Sequence, residues 1–248
     1  MTRRRWIAER WDEATATVAG ATADHLIRVL RAQTGMAADV VAGGRVFHAE
    51  IAALENGPEG QSEVRFNLLG EMDAEPALAI TLVMSIFKFD RMEWAIEKLT
   101  ELGIAEIAPV IARRSEKHLT HAASKRVERW RRIAHEASQQ ARRSDIPVIH
   151  DPIALADRVR TESTCKRIVL AEQERGATLR DAFEEAIAAA GAEIPSFEIA
   201  IGPEGGWAPE EEALFDTSGW KAVSLGPRIL RAETAAITAV AVAASMLE

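Results

Sequence analysis

The sequence predicts an α/β fold in two parts, a small β-rich unit followed by a larger domain with a mostly parallel sheet. Residues 1–72 contain short apolar segments separated by glycine turns, a pattern typical of small strands. From residue 77 onward, apolar strands alternate with amphipathic helices, which favours a parallel sheet covered on both faces. The acidic segment 71–76 ends in proline and indicates a linker between domains at 1–72 and 76–248.

In the amino-terminal unit, strands are expected near Val18 and at 38–41, 46–51 and 64–69, with a turn at 56–58. A short helix is expected at 23–31. Its apolar residues would pack inward, while its arginines would stay in solvent. The inward set is Leu26, Ile27, Val29 and Leu30. His25 is expected to cap or pack rather than to catalyse.

In the larger domain, strands are expected at 77–87, 104–111, 147–149, 167–171, 197–201 and 222–225. Helices are expected at 90–103, 124–143, 178–191, from 209 and at 233–247. Asp90 is the predicted N-cap of the first helix, Thr178 with Asp181 caps the third, and Pro209 begins the fourth. The last helix has no charged residue from Thr234 to Leu247, so we expect it to be buried on all sides.

Two apolar segments near the carboxyl end each stop at a glycine loop. The segment 197–201 precedes Gly202-Pro203-Glu204-Gly205-Gly206, and the segment 222–225 precedes Gly226-Pro227-Arg228. Glycine has no Cβ, so a ligand can lie directly on the backbone, and ligands of open α/β sheets bind beyond the carboxyl ends of strands. Two such loops on neighbouring strands predict one pocket. The alternative is a pair of tight turns that only reverse the chain.

Composition limits the classes of site that we expect. A single cysteine, Cys165, rules out an internal disulfide and a multi-cysteine metal site, and is typical of a reduced cytoplasmic protein. His118 and His121 have no third ligand nearby, so no metal site is expected. No apolar run follows the arginines at 3–5, so no signal peptide is visible. The longest uncharged run, 234–247, is too short to span a membrane.

Charge is distributed unevenly along the chain. The net charge is −8, which by itself argues against nucleic-acid binding. However, the segment 113–143 holds ten Lys and Arg against three Asp and Glu, a local charge of +7, and the remainder carries −15. Such a segment is what a phosphate-binding face requires. A solvated helix face would have the same composition, so charge alone leaves both interpretations open.

The two glycine loops resemble the motifs of a known enzyme family. Ile-Gly-Pro-Glu-Gly-Gly at 201–206, followed by Leu-Gly-Pro-Arg-Ile-Leu-Arg-x-Glu-Thr-Ala at 225–235, is similar to the motifs of the bacterial 16S ribosomal RNA uridine-N3 methyltransferases of the SPOUT class. Segments at 25–31, 88–103 and 136–147 also resemble this family, so the resemblance covers nearly the whole chain.

The resemblance implies the architecture, the cofactor and the partners. It implies a PUA-like β-barrel for residues 1–72 and a SPOUT domain with a trefoil knot for residues 76–248. It also implies S-adenosyl-L-methionine as cofactor, ribosomal RNA of the small subunit as substrate, and a homodimer with pockets beside its interface. The cofactor-binding residues implied are Ile201, Gly202, Glu204, Gly205, Gly206, Leu225, Gly226, Ile229 and Leu230. The RNA-binding residues implied are Arg3, Arg4, Arg5, Arg28, Arg31, Lys88, Arg113 and Arg142.

Methylation at uracil N3 requires loss of the imide proton. A base, or a cation that stabilises the developing anion, lowers the cost of this loss. Our hypothesis is that Arg231 stabilises the uracil anion, while Glu233 orients the uracil or accepts its proton. The alternative is that Arg231 and Glu233 form a structural pair that holds the loop. No metal is needed for this displacement, because orientation of donor and acceptor supplies much of the rate.

Two other functions remain open from the residues alone. The chain could be a non-catalytic RNA-binding protein with structural glycine loops, or an enzyme that binds another adenine nucleotide in them. Binding of S-adenosylmethionine discriminates these possibilities.

Overall fold

The computed structural model describes residues 4–56 and 60–247. Arg3 and the predicted turn at 57–58 lie outside these residues. The chain divides into two compact units, Met1–Pro76 with Ser138–Ile146, and Ala77–Ala137 with Pro147–Glu248. The segment Ser138–Ile146, which the sequence prediction counted with the larger domain, therefore groups with the first unit.

The first unit contains one six-stranded sheet. Its strands are β1 (Arg5–Ile7), β2 (Arg10–Trp11), β3 (Thr15–Ala19), β4 (Ala37–Ala42), β5 (Arg45–Asn56) and β6 (Ser62–Met72). Their order is β1-β4-β5-β6-β3-β2, and all pairs are antiparallel except β1 with β4. Trp6, Val18 and Phe66 are fully buried in its core. Register shifts in the long β5–β6 pair bend the sheet around this core.

The helical segment of the first unit differs from the prediction. An α-helix, α1 (Gly20–Asp24), continues into a π-helix at His25–Val29, and Arg31 adopts a φ of 52°. Leu26 is buried, but the side chains of Val29 and Leu30 are exposed, so their predicted inward packing is wrong. Ile27 still packs against the core, but the wider π turn, in which Leu30 N donates to His25 O, leaves Val29 and Leu30 in solvent.

The second unit contains a parallel sheet of seven strands. They are β7 (Leu78–Ser85), β8 (Ile104–Ile111), β9 (Val148–Ile149), β10 (Ile153–Ala154), β11 (Lys166–Leu170), β12 (Phe197–Ile201) and β13 (Lys221–Val223). The order is β10-β8-β7-β12-β11-β13, and β9 also pairs with β8. The predicted parallel sheet is confirmed. The glycine-loop strands β12 and β13 are not neighbours as predicted, because β11 lies between them.

Helices cover both faces of this sheet. They are α2 (Phe89–Glu101), α3 (Lys117–Ala123), α4 (Val127–Gln140), α5 (Leu155–Arg160), α6 (Leu179–Ala190), α7 (Pro209–Thr217) and α8 (Ala232–Leu247). Successive residues of β7 point to opposite faces, so Leu82 belongs to one core with α2, α6 and α8, and Val83 to another with α5 and α7. Helices α3 and α5 were not predicted.

Capping residues explain where these helices begin. The Thr178–Asp181 capping box of α6 is confirmed, with Asp181 N donating to Thr178 Oγ1 at 3.2 Å. Pro209 begins α7 as predicted. The prediction of Asp90 as the N-cap of α2 is wrong, because the helix begins at Phe89. Its N-cap is Lys88, and the carboxylate of Asp90 lies in the first turn, where it faces the positive end of the helix dipole.

Helix α8 is buried along one stripe rather than all round. Ala236, Ala239, Val240 and Ala243 are fully buried, whereas Ala241 is exposed and Ile237 is partly exposed. The prediction that α8 is buried on all sides is therefore wrong for the single chain.

Candidate active site

A cavity of about 580 Å³ lies beyond the carboxyl ends of β11, β12 and β13. Its volume is in the range typical of small-molecule sites. Three loops form most of its wall, at 170–175, 201–206 and 223–231. The parallel direction of the three strands brings their carboxyl ends to one edge of the sheet, so loops far apart in the chain meet there.

Both glycine loops line this one cavity, although their strands are separated by β11. All nine residues expected to hold a cofactor are part of the lining, as are Lys88 and Arg231. Their roles in binding stay predictions. Ile229 is 80% exposed, which is unusual for a large apolar side chain and leaves its surface open to a ligand.

The third loop was missed as part of the site, although its strand was predicted. Glu172, Gln173 and Arg175 line the cavity. The loop is held by Glu174, whose Oε1 accepts from the backbone N–H groups of Gly176 at 2.6 Å and Ala177 at 3.1 Å. These bonds, the one from Gly176 above all, lower the pKa of the Glu174 carboxyl. The rule that ligands bind beyond strand ends applies to this loop as well.

Two glycines of the first loop lie close to side chains of the protein itself. A Cβ on Gly202 would lie 3.3 Å from the indole of Trp207, and a Cβ on Gly205 would lie 3.4 Å from Cβ of Arg114. Trp207 Nε1 donates to the carbonyl oxygen of Leu170 at 2.9 Å, which ties the loop to the end of β11. Gly226 differs, because its φ is 116° and no atom lies within 4 Å of the position of a Cβ.

Arg114 lines the cavity, whereas the adjacent Arg113, which was predicted to bind RNA, does not. Arg114 Nη1 donates to the carbonyl oxygen of Gly205 at 2.9 Å. Arg113 lies outside the cavity lining, and its Nε forms an ion pair of 2.6 Å with Glu210 Oε1. The buried carboxylate of Glu211 fixes this connection, since Oε1 accepts from Arg113 N at 2.7 Å and Oε2 accepts from Ala208 N at 2.9 Å.

Glu233 is buried next to the cavity and does not line it. The structural pair weighed above, Arg231 with Glu233, is not formed among residues 4–56 and 60–247. Instead Glu233 Oε1 lies 3.7 Å from Nε of Arg91, whose Nη1 donates to Glu204 Oε1. Arg231 is exposed at the cavity. No sequence motif pointed to Arg91.

Carboxylates from other segments offset much of the basic segment 113–143. Arg129 donates two hydrogen bonds to Glu93, at 2.7 and 2.8 Å, and Arg126 lies 3.7 Å from the same carboxylate. Arg131 pairs with Asp151 at 3.2 Å, and also with Glu128 of the same segment. A local surplus counted along the sequence therefore overstates the positive field at this surface.

In the first unit, three of the predicted RNA-binding arginines make protein contacts. Arg28 pairs with Asp24 at 3.3 Å, and Arg142 pairs with Asp39 at 2.6 Å. Arg142, expected to bind RNA, does not line the cavity. Arg5 donates to the carbonyl oxygen of Arg142, and burial lowers the pKa of the Arg5 guanidinium. Arg4 and Arg31 are exposed.

Smaller sequence expectations can also be compared with the structure. His25 packs against Trp6, with ring centroids 6.3 Å apart, which confirms its packing role. Within 4–56 and 60–247, no group of three His, Cys, Asp or Glu is arranged to hold a metal ion. No helix in the described part of the chain combines the length and apolarity needed to cross a bilayer.

Comparisons with known proteins give consistent matches. A family model described as an RNA methyltransferase domain matches residues 74–244. The ribosomal RNA small subunit methyltransferase E of Synechocystis sp. is 32% identical over 244 residues, which cover 95% of this chain and 75% of that protein.

Two solved structures are similar along almost the whole chain. The ribosomal RNA small subunit methyltransferase E of Neisseria gonorrhoeae, bound to S-adenosyl methionine, has a TM-score of 0.79 at 28% identity, and the match covers 96% of this chain and 95% of that one. A methyltransferase from Legionella pneumophila in complex with the cofactor SAM has a TM-score of 0.80 at 29% identity, covering 98% and 97%.

Proposed function

The chain belongs to the family of RNA methyltransferase domains, and from this premise we propose that it transfers the methyl group of S-adenosylmethionine to N3 of a uridine in 16S ribosomal RNA of the small subunit. One observation carries the proposal: both glycine motifs and two exposed cations, Lys88 and Arg231, line a single cavity of about 580 Å³. The names of the similar proteins support the substrate, and their bound SAM supports the cofactor. The uracil N3 position rests on the resemblance of the two loop motifs.

The residues present fit S-adenosylmethionine. When bound, this cofactor supplies an electrophilic methyl group on a sulfonium sulfur. The open backbone at Gly226 and the exposed side chain of Ile229 offer polar and apolar surface for a nucleoside. Backbone groups of Ile201, Gly202 and Leu225 would complete the site.

The residues of this chain must manage the imide proton of the acceptor. Arg231 is exposed at the cavity, where its guanidinium would stabilise the negative charge that develops on uracil. Glu233 is buried and ion-paired, which favours a role in orienting the site over direct proton abstraction. Direct proton abstraction would require the carboxylate to lie within hydrogen-bond reach of N3 of the uracil.

RNA binding is assigned to two surfaces. At the cavity, Lys88 and Arg228 are exposed and would contact phosphates beside the target nucleotide. In the first unit, we assign the same role to Arg4 and Arg31. We also propose that the six-stranded unit is a PUA-like barrel and that the second unit is a trefoil knot. Both assignments rest on the resemblance of the loop motifs, and the six-stranded sheet of the first unit supports the barrel.

A homodimer is part of the proposal, and α8 is the surface assigned to it. This helix has no charged residue after Glu233, and Ala241 leaves part of its apolar surface exposed in the single chain. A second copy would cover that surface. A ribosomal substrate implies that the enzyme works in the cytoplasm.

The proposed function is tested by two measurements on the intact chain. Calorimetric titration with S-adenosylmethionine should give saturable binding with one site per chain. Mapping of methylated nucleotides in small-subunit RNA, from cells with and without the chain, should show loss of one N3-methyluridine. Absence of binding by a folded chain would favour the non-catalytic RNA-binding alternative, and a methyl group at another atom would overturn the N3 assignment.

A further inference from the structure

Arg91 joins the two glycine motifs through a single guanidinium group. Its Nη1 donates to Glu204 Oε1 in the first loop, and its Nε lies 3.7 Å from Glu233 Oε1 in the first turn of α8. Arg91 itself lies in the first turn of α2, directly after the strand β7, and lines the cavity. One side chain therefore connects two walls of the cavity that are far apart in sequence.

The position of Arg91 is unfavourable for helix α2 alone. A cation in the first turn opposes the helix dipole, so the helix itself offers no reason for an arginine there. Its carboxylate partners differ in exposure: the side chain of Glu204 is 34% exposed and that of Glu233 is 8% exposed. Glu233 Oε2 is buried without a hydrogen-bond partner among the described residues. A carboxylate buried in this way depends on a nearby cation, because an unpaired buried charge is strongly destabilising.

We propose that Arg91 is a positioning residue that sets the spacing between the loop 202–206 and the start of α8, and so shapes the cavity for its nucleoside ligand. It acts through Glu204 and Glu233 and does not contact the reacting atoms. The identity of the ligand, S-adenosylmethionine, rests on the proposed function. The arginine fork suits this task, since its several N–H groups can reach two carboxylates at once.

A double-mutant cycle with S-adenosylmethionine tests the proposal. The affinities of the unsubstituted chain, Arg91→Ala, Glu204→Gln and the double variant are measured by calorimetry. Each single change should weaken binding about tenfold, and the double variant should be no weaker than Arg91→Ala, because both changes break one link. Arg91→Lys should recover part of the affinity, since an ammonium keeps the charge and lacks the fork.

Turnover adds a readout that a merely structural role would not move. If Arg91 positions the first loop for the cofactor, Glu204→Gln should raise KM for S-adenosylmethionine and leave kcat within about twofold. Arg91→Ala, which also releases Glu233, should lower kcat as well. Equal loss of kcat in both variants would contradict the proposal that Glu204 affects cofactor binding and Glu233 affects turnover.

Lys98→Ala is the matched control. Lys98 lies on the same helix, bridges the two carboxylates of Glu97 and Glu101 at 2.7 and 2.8 Å, has a side chain 32% exposed against 28% for Arg91, and does not line the cavity. Its removal should leave the affinity for S-adenosylmethionine unchanged.

The outcomes separate the two proposals. No binding by the unsubstituted chain would overturn the proposed function. Binding by that chain, with unchanged affinity in Arg91→Ala, would overturn the role of Arg91 alone. Independent effects that multiply to about a hundredfold loss in the double variant would show that Arg91 does not act through Glu204 and would also overturn the proposal. Should Arg91→Ala fail to fold, Glu204→Gln and Arg91→Lys still decide, since neither leaves Glu233 without a nearby cation.

Discussion

Single residues at the cavity differ in whether they face the ligand or hold the wall. Arg231 and Ile229 are exposed on the inner surface, whereas Glu233 is buried behind it. The sequence motif contains both kinds of residue side by side, because successive residues at a helix start point in different directions. Burial and contacts therefore distinguish functions that adjacent motif positions do not.

The first residue-scale prediction concerns Glu233→Gln. The substitution keeps the shape and removes the charge that pairs with Arg91. If Glu233 orients the site, we expect methyl transfer to fall by about tenfold to a hundredfold, with little change in its pH dependence. Turnover on small-subunit RNA between pH 6 and 9 measures both quantities. Unchanged turnover would contradict a role for Glu233 in catalysis. Glu212→Gln, which changes an exposed carboxylate of the cavity lining, serves for comparison.

The second residue-scale prediction concerns pH and His135, on α4. Burial lowers the pKa of His135 below its ordinary value, so the unfolded chain binds a proton at a pH where the folded chain does not. The free energy of unfolding should therefore fall as the pH drops below about 6.5, the ordinary pKa of histidine. His135→Gln should reduce this loss.

Urea unfolding at pH 7.5 and pH 5.5 measures the difference between the two proteins. The exposed His121 supplies the control, since His121→Gln should leave the pH dependence as it is in the unsubstituted chain. An identical pH dependence in all three proteins would contradict the prediction.

Among elements, helix starts and strand ends determine the form of the cavity. The start of α7 is held to the connection after β8 by Glu211, and the start of α8 is held to α2 by Arg91. Glu211 reaches the backbone of Arg113, 98 residues earlier in the chain, and Glu233 pairs with Arg91, which lies even farther away in sequence. These long-range contacts fix the positions of the two helix starts beside the cavity.

At the element scale, Glu211→Ala should destabilise the second unit by about 2–3 kcal/mol. The substitution removes the buried carboxylate, so the backbone N–H groups of Arg113 and Ala208 lose their acceptor. Chemical unfolding measures this loss. Hydrogen exchange should accelerate at the amides of Ala208 and Arg113. The control is Glu212→Ala, at an exposed neighbour. It should change the free energy of unfolding by no more than about 0.5 kcal/mol and leave hydrogen exchange at both amides unchanged. Unchanged exchange at Arg113 would contradict the assigned link.

The whole molecule consists of two units, and the first is not continuous in sequence. Ser138–Ile146 begins within the last turn of α4, whose earlier residues belong to the second unit, yet it groups with the amino-terminal residues. Arg142 carries the contacts that explain this grouping, since its side chain pairs with Asp39 on β4 and its carbonyl accepts from Arg5 on β1. The left-handed φ of 60° at Arg142 turns the chain for these contacts.

At this scale, we expect Arg142→Ala to weaken the first unit and leave the second unchanged. Loss of a partly exposed ion pair should cost about 0.5–1 kcal/mol. Hydrogen exchange should accelerate along β4, with no change along β12. Arg132→Ala, an exposed arginine of α4, should affect neither strand. Equal acceleration in β4 and β12 would contradict a contribution confined to the first unit.

Local sequence determined the elements whose signals are themselves local. The bounds of β8 and β12 and the cap of α6 follow from apolar runs and from Thr178 with Asp181, and all three agree with the structure. The strand β9 was predicted at 147–149 and is found at Val148–Ile149, whereas the two-residue strand β10 was missed and the π turn at His25–Val29 was misjudged, because their signals are too short or depend on packing. The glycine loops were recognisable because glycine marks a bend wherever it occurs.

The sequence alone determined that a parallel sheet ends in two glycine loops and that these resemble an RNA methyltransferase. Only the tertiary structure decided that β11 lies between their strands, that a third loop completes the cavity, and that Glu233 pairs with Arg91 rather than with Arg231. The physical reason is that strand order and ion pairing arise between segments distant in the chain. Periodicity and capping act over a few residues, so they carry no information about such partners.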